Sequence, residues 1–215
     1  MPNPTYYDGD LRRDLVAAAV DLIVTHGPSG VSLRSVARRL GVSHAAPAHH
    51  FDDKAALFTA IAVDGFRGLD EALGAAAAGR TPLDALREVG LAYVRFAVDH
   101  PAHFAVMWRN DLLHTDDPDL LDAGGSTFEL LTSGVAAAQA EGWGRGRDTR
   151  TLVHLAWSAV HGLAALWLDG PLREHDNRGV DDVAAAVADL LGSAFGSPDQ
   201  QPPPTAPTDP VEEHR

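Results

Sequence analysis

Apolar residues recur at spacings of three and four along most of this 215-residue chain, and this helical period limits the fold more than any other feature. No segment shows the sustained apolar–polar alternation of a half-buried strand. Glycine and proline separate the periodic segments, as they do at helix ends. The expected helices cover 11–26, 32–40, 44–50, 53–78, 82–99, 101–113, 126–141, 149–168 and 180–195. The pattern therefore predicts an all-α protein of about nine helices.

Two of these segments lie almost end to end. Ser32 can cap a helix over 33–40, and only Gly41, Val42 and Ser43 separate that helix from the next. Pro47 then falls in the first turn of the following helix, where its missing N–H costs little. Two short helices joined by a tight, glycine-containing turn predict a helix-turn-helix, whose second helix enters the DNA major groove.

The charge differs between the N-terminal part, which contains the predicted helix-turn-helix, and the rest of the chain. The chain carries a net charge of −13, which alone argues against nucleic acid as a partner. Residues 1–56, however, hold six basic and six acidic residues, whereas the remainder holds eleven basic and 24 acidic residues. Arg34 and Arg38 are four residues apart and share one helix face, while Arg39 points elsewhere. The N-terminal part can therefore approach phosphates that the rest would repel.

Residues 11–58 resemble the TetR family of transcriptional regulators. The likeness rests on a first helix ending in HG, then VSLRSVARRLGVS, then HHF followed by DDKAALF. Farther along, WSAVHGLAALWLDG looks like the penultimate helix of one branch of the family, and the rest matches only in helical layout. The resemblance implies a DNA-binding domain at 1–56 and an effector-binding and dimerisation domain at 57–196.

The same resemblance implies which residues meet DNA. Positions at the start of the second helix and of the fourth lie near phosphates, and the third helix reads bases. The expected DNA-binding residues are Ser32, Arg34, Arg38, Ser43, His44, Ala45, Ala48, His49 and Lys54. The chain departs from the family at Pro47, where an aliphatic residue is usual, and at Ala48, where a tyrosine usually contacts the backbone. A helical dimer that has lost DNA binding is therefore kept as an alternative.

His154, Trp157 and His161 share one helix face at i, i+3 and i+7. This face is either packed core with satisfied histidines or a wall of an apolar cavity that has a few polar groups. Other candidate wall residues are aromatic or sulfur-containing, and each alone is also a normal core residue. The expected ligand-binding set is Tyr93, Phe96, Phe104, Met107, Trp108, Phe128, His154, Trp157 and His161.

A homodimer is expected, because a single helix-turn-helix makes few contacts and a two-fold dimer reads both half-sites of a palindrome. The segments 149–168 and 180–195 are the expected interface. Its expected residues form one apolar stripe: Val180, Val183, Ala184, Val187, Leu190, Leu191 and Phe195.

Other classes of protein are disfavoured. The absence of cysteine excludes disulfides and zinc–thiolate sites, and His49 and His50 are adjacent and diverge, so no metal and no cofactor is expected. No Glu-x-x-His pair, phosphate loop or nucleophile elbow indicates an enzyme. The N-terminus lacks a signal-peptide pattern, and the apolar run 155–168 falls short of the roughly 20 residues that span a bilayer.

The expected protein is thus cytoplasmic, without a membrane partner, and its proline-rich and acidic tail, 197–215, is expected to be disordered. Its expected function is that of a repressor released from a palindromic operator in double-stranded DNA by a small apolar or aromatic effector. An activator of the same fold remains an alternative.

Overall fold

The computed structural model describes residues 8–195, with side chains from residue 11 onward. Within that range all regular elements are helical, so the all-α prediction is confirmed. The α-helices are α1 (Asp8–His26), α2 (Leu33–Leu40), α3 (Lys54–Ala77), α4 (Pro82–Asp99), α5 (Pro101–Met107), α6 (Pro118–Ala140), α7 (Thr149–Leu168), α8 (Pro171–His175) and α9 (Val180–Ala194). Short 3₁₀ turns cover Pro28–Gly30, Ala46–His49 and Asn110–Leu112. The predicted tail 197–215 lies outside the described residues.

The helix ends follow the local chemistry of the sequence. Ser32 and Ser35 form a reciprocal capping box at the start of α2, each hydroxyl accepting from the other residue's backbone N–H. Gly41 ends α2 in the left-handed conformation, with φ 69°. Asp53 caps α3, since its Oδ1 accepts from the Ala56 N–H at 2.8 Å. These three positions fix the boundaries of the predicted helix-turn-helix.

The segment predicted as the third helix, 44–50, contains only one 3₁₀ turn, Ala46–His49. The Ala46 N–H donates to Ser43 O at 3.0 Å and the Ala48 N–H donates to Ala45 O at 3.2 Å, so both bonds span three residues. Pro47 is the cause, because it has no N–H to return to Ser43 O and its ring conflicts with that carbonyl in an α-helix. Its ring is buried in the core of the motif.

Three other segments differ from the predicted boundaries. α6 begins at Pro118 instead of 126 and runs through Gly124–Gly125, which the sequence suggested as a break. Asp117 caps it there, accepting from the Leu120 N–H at 3.0 Å, and the glycines then fall inside a helix held by its buried face. The predicted segment 101–113 divides into α5 and a 3₁₀ turn, and the short helix α8 was not predicted.

α3 is the central helix, buried on most of its length and packed against α1, α4, α5 and α6. Gly65 on α3 permits a close approach of α5, because a Cβ there would lie 2.6 Å from Met107 Sδ. The N-terminal end of α3 touches the helix-turn-helix and its body lies in the bundle. This one helix therefore joins the two predicted functional regions.

α7 is long and apolar enough to cross a membrane by length and composition alone, and is the one such helix in the described range. In the fold it packs against α4, α6, α8 and α9. The apolar run 155–168 is only partly buried, because Leu155 and Leu166 are exposed while Leu163, Ala164 and Trp167 are buried. Core helices of globular proteins pass the same composition test, so the pattern is weak evidence for a membrane span.

Candidate DNA-binding surface and ligand cavity

The helix-turn-helix presents one polar, exposed surface. Eight of the nine predicted DNA-binding residues are exposed: Ser32, Arg34, Arg38, Ser43, His44, Ala45, Ala48 and His49. Val36, Ala37, Pro47 and Phe51 are buried beneath them and hold α2 against the 3₁₀ turn. The exposed groups are therefore carried by a packed support, as a rigid recognition surface requires.

The arginines of α2 have different surroundings. Arg39 pairs with Asp21 of α1, with Nη2 and Oδ2 3.2 Å apart. Arg34 and Arg38 are exposed and have no ion-pair partner among the described residues. The guanidinium groups of Arg34 and Arg38 are thus available to an external anion, whereas that of Arg39 already forms an ion pair with Asp21.

Lys54 is the ninth predicted DNA-binding residue, and its contacts differ from those expected. Its Nζ donates to Pro28 O at 2.9 Å and lies 4.9 Å from the centre of the Phe58 ring. Asp53 is the N-cap of α3, and its carboxylate already accepts from the Ala56 N–H at the helix start, where a phosphate contact is predicted. The bond to Pro28 O uses one of the three N–H donors of the ammonium group. A phosphate contact by Lys54 stays a prediction.

A cavity of about 970 Å³ lies among α4, α6, α7 and α9, and its lining is mostly apolar. Six of the nine predicted ligand-binding residues line it: Tyr93, Met107, Trp108, Phe128, Trp157 and His161. The other three do not. Phe96 packs on His100 and Gly68, Phe104 lies behind His161 with ring centres 5.2 Å apart, and His154 is exposed.

One end of the cavity is a cluster of aromatic rings. The Trp108 ring centre lies 5.2 Å from that of Trp157, 5.5 Å from that of His161 and 5.0 Å from that of Phe66. The Tyr93 hydroxyl is 2.7 Å from His161 Nδ1. Burial raises the pKa of Tyr93 and lowers the pKa of His161, so both side chains are neutral near pH 7.

Sequence reasoning found only Tyr93 in the wall that α4 supplies. Leu83, Leu86, Arg87, Gly90 and Tyr93 all line the cavity, and their spacing of three and four places them on one helix face. That spacing was visible in the sequence, but leucine and glycine gave no reason to separate a cavity wall from ordinary core. Lining residues on α6 and α9 were missed for the same reason.

The segment between α5 and α6 touches both the cavity and the start of α3. Trp108, Asn110, Leu113 and Thr115 line the cavity. Between the last two, the His114 backbone N–H donates to Thr59 Oγ1 at 2.9 Å, and His114 Nε2 lies 3.0 Å from Asp53 Oδ1. We call residues 108–117 the connecting segment, because it links cavity-lining side chains to the cap of α3.

The predicted interface residues on α9 differ in how exposed they are. Val183 and Ala184 are buried against α4 and α7 of the same chain, which makes them unavailable to a partner in this arrangement. Val180, Val187 and Leu191 are half-buried, and Phe195 packs on Trp143 with ring centres 5.8 Å apart. Leu190 is 69% exposed and Leu166 of α7 is 48% exposed. The apolar surface left for a partner is therefore narrower than predicted.

Comparisons with known proteins agree with this architecture. Residues 15–61 match the model of bacterial regulatory proteins of the tetR family, and residues 86–191 match the tetracyclin repressor-like C-terminal domain. An HTH-type transcriptional regulator of Mycobacterium tuberculosis is 27% identical over 141 residues, which cover 59% of this chain and 60% of that protein.

Solved structures show the same fold. A protein of unknown function from Rhodococcus sp. RHA1 is 34% identical with a TM-score of 0.77, covering 91% of this chain and all of that one. The transcriptional regulator FadR of Bacillus subtilis, solved with stearoyl-CoA, is 14% identical with a TM-score of 0.68, covering 84% of this chain and 97% of that one. The second likeness shows the fold alone. The matched family and the curated relative are regulators of transcription, not enzymes. The chain belongs to the TetR family of DNA-binding transcriptional regulators.

Proposed function

We propose that this chain is a cytoplasmic repressor that binds a palindromic operator as a homodimer and leaves it when a small apolar or aromatic effector fills the cavity. In this proposal residues 1–56 bind DNA and residues 57–196 bind the effector and the partner. The observation that carries the proposal is the connecting segment, which has cavity-lining residues on both sides of His114, itself bonded to Asp53 and Thr59.

The proposed mechanism is a competition between two positions of the connecting segment. An effector that contacts Trp108, Leu113 or Thr115 favours one position of that segment over another. Because His114 is bonded to Asp53 and to Thr59, the segment cannot move without moving the start of α3 or breaking those bonds. A shift of α3 changes the separation of the two helix-turn-helix motifs in a dimer. Operator affinity then falls by at most the ratio of the effector's affinities for the two positions of the connecting segment.

The proposed dimer uses the exposed faces of α7 and α9. Leu166 and Leu190 are large apolar residues that the subunit leaves in solvent, and burial in an interface would stabilise both. Palindromic recognition follows from the two-fold axis of such a dimer.

A second function, a helical sensor without DNA binding, is favoured by two observations. Ala48 offers no hydroxyl to a phosphate, and the Lys54 ammonium is bonded to Pro28 O. Selection of bound duplexes from a random pool separates the two functions. A repressor should enrich a palindromic duplex. His44→Ala or His49→Ala should then weaken binding to that duplex by about 1–3 kcal/mol per base contact, with little effect on binding to random DNA. Failure to enrich any duplex would favour the sensor.

A further inference from the structure

The segment that is predicted to read DNA lacks the side chains that most often read bases. We name residues 43–50 the reading turn. Arginine or lysine can pair with guanine through two hydrogen bonds, and asparagine or glutamine can pair with adenine in the same way. None of these four residue types occurs in the reading turn. The arginines of the motif lie on α2, the helix that crosses the DNA backbone, so base reading falls to the small side chains and histidines of 43–50.

The 3₁₀ conformation arranges the reading turn in three lines of side chains. A 3₁₀ turn has three residues per turn, so residues i and i+3 lie above one another. Ala45 has helical dihedral angles, φ −85° and ψ −18°, and its carbonyl accepts from the Ala48 N–H at 3.2 Å, which places the two alanines on one line. Pro47 lies on a second line and is buried, whereas Ala45 and Ala48 are both exposed. The line that faces away from the core thus carries two methyl groups.

These two methyl groups form a short apolar strip. At a rise of about 2.0 Å per residue they lie about 6 Å apart along the turn. In the DNA major groove, the apolar group that a base edge offers is the 5-methyl group of thymine, and alanine is one of the side chains that contact it. Successive bases of a strand are about 3.4 Å apart, so the strip can meet thymines on adjacent or next-but-one base pairs.

We infer that each operator half-site carries thymines opposite Ala45 and Ala48, and that contact between the alanine Cβ and the thymine 5-methyl group selects them. Contact between two methyl groups buries apolar surface on both partners. A methyl group placed over the hydrogen-bond donors and acceptors of other base edges would displace water without replacing its hydrogen bonds. The inference deepens the proposed operator binding and rests on it.

The test removes thymine methyl groups one position at a time. In the palindrome enriched from random duplexes, each thymine on either strand is replaced by deoxyuridine in both half-sites, which removes the 5-methyl group and keeps the base pairing. Fluorescence anisotropy with the full chain measures each Kd. At thymines no more than two base pairs apart, Kd should rise about fourfold per methyl group, or about 16-fold for both half-sites, since burying one methyl group is worth about 0.8 kcal/mol. Equal Kd values for the parent palindrome and every deoxyuridine duplex would overturn the inference.

Glycine variants locate the contacts. Ala45→Gly and Ala48→Gly each remove one methyl group, so the deoxyuridine penalty should vanish at one position and persist at the other, and comparison within a variant cancels any effect of glycine on the fold. Ala46→Gly is the matched control, because Ala46 is half-buried on another line of the same turn, and both penalties should persist. Penalties that survive both Ala45→Gly and Ala48→Gly would contradict the assigned contacts. The wild-type comparison can overturn the inference even if a variant fails to fold.

Failure of the thymine contacts and failure of the repressor proposal have different signatures. An enriched palindrome whose affinity is the same without its thymine methyl groups leaves operator binding standing and sinks the inference. The apolar compounds 1-decanol and naphthalene serve as cavity probes. If the penalties appear as expected and a bound cavity probe leaves operator affinity unchanged, the thymine contacts stand and effector release fails. If no duplex is enriched, operator binding and the thymine contacts are both wrong.

Discussion

His114 Nε2 lies 3.0 Å from Oδ1 of Asp53, and this pair joins the cavity-lining connecting segment to the N-cap of α3. Both side chains are about half exposed, so their attraction contributes little to stability, about 0–1 kcal/mol. Because the pair lies between the cavity and the helix-turn-helix, we propose that it couples the two.

We predict that His114→Ala weakens this coupling while leaving the fold intact. The ratio of operator affinities with and without a bound cavity probe should change by about 0.5–2 kcal/mol, because the side-chain bond to Asp53 is lost and only the backbone bond to Thr59 still links the segment to α3. His175→Ala is the control, since His175 bonds to Pro171 O within the short helix α8. Unchanged coupling in the His114 variant would contradict the role given to the connecting segment.

The arginines of α2 should differ in their effect on non-specific DNA binding. Arg34→Ala and Arg38→Ala should each reduce the slope of log affinity against log salt by about 0.9 per lost phosphate contact, or twice that per dimer. Arg39→Ala is the matched control, because Arg39 is paired with Asp21. A salt titration on random duplex measures the three slopes. Slopes equal to that of the wild-type chain in all three variants would place the phosphate contacts elsewhere.

Two half-buried histidines, His103 and His161, predict a loss of stability in mild acid. Burial lowers the pKa of both His103 and His161, so the unfolded chain binds their protons first as the pH falls. The free energy of unfolding should therefore be full above the unfolded pKa of about 6.5 and decrease below it, until the folded-state pKa is reached. Denaturant unfolding from pH 7.5 to 5.5 checks this. His103→Asn and His161→Asn should each flatten the decline, and an unaltered decline in both variants would exclude these groups as its source.

Two glycines of α3 should respond in opposite ways to alanine. Gly65→Ala places a Cβ 2.6 Å from Met107 Sδ and 3.1 Å from His103 Cβ, so the Met107 side chain or α5 must shift and we expect a cost of about 1–3 kcal/mol. Gly74→Ala meets no atom within 4 Å and should stabilise the helix by about 0.5–1 kcal/mol. Thermal unfolding of the two variants measures both effects, and stabilisation by Gly65→Ala would contradict the close packing of α3 on α5.

The proposed interface predicts that charge at its exposed leucines separates the subunits. Leu166→Glu and Leu190→Glu together should yield monomers in sedimentation with a much lower operator affinity, because a buried unpaired carboxylate is costly. Leu121→Glu is the control, since Leu121 is 62% exposed but lies on α6, outside that face. A wild-type chain that sediments as a monomer at micromolar concentration would contradict the dimer itself.

Much of the fold could be predicted because helix boundaries are determined by residues close to them in the sequence. Pro82 and Thr149 begin α4 and α7 where the sequence placed them, each preceded by a side chain that caps the helix. Gly124–Gly125 misled the prediction, since a helix whose buried face is packed tolerates glycine. The sequence showed that Pro47 constrains the segment 44–50, but not that only a 3₁₀ turn would form there. A proline is also consistent with the first turn of an α-helix, which was the prediction.

The site was predictable only where residue chemistry is distinctive. Trp108, Trp157 and His161 were found because indole and imidazole are unusual in a plain core. His154 was expected beside them, but its position on α7 turns it to solvent. The bond from Lys54 to Pro28 O joins residues 26 apart in the sequence, and no local pattern indicates such a contact.

The most direct test of a ligand-responsive operator binder is a reciprocal titration with a palindrome selected from random duplexes and the cavity probe that binds best. The account predicts that a saturating probe weakens operator binding by a factor of about 5–150, and that saturating operator weakens probe binding by the same factor, because coupling between two sites is reciprocal. Operator affinity that stays the same with and without a saturating probe would contradict the account.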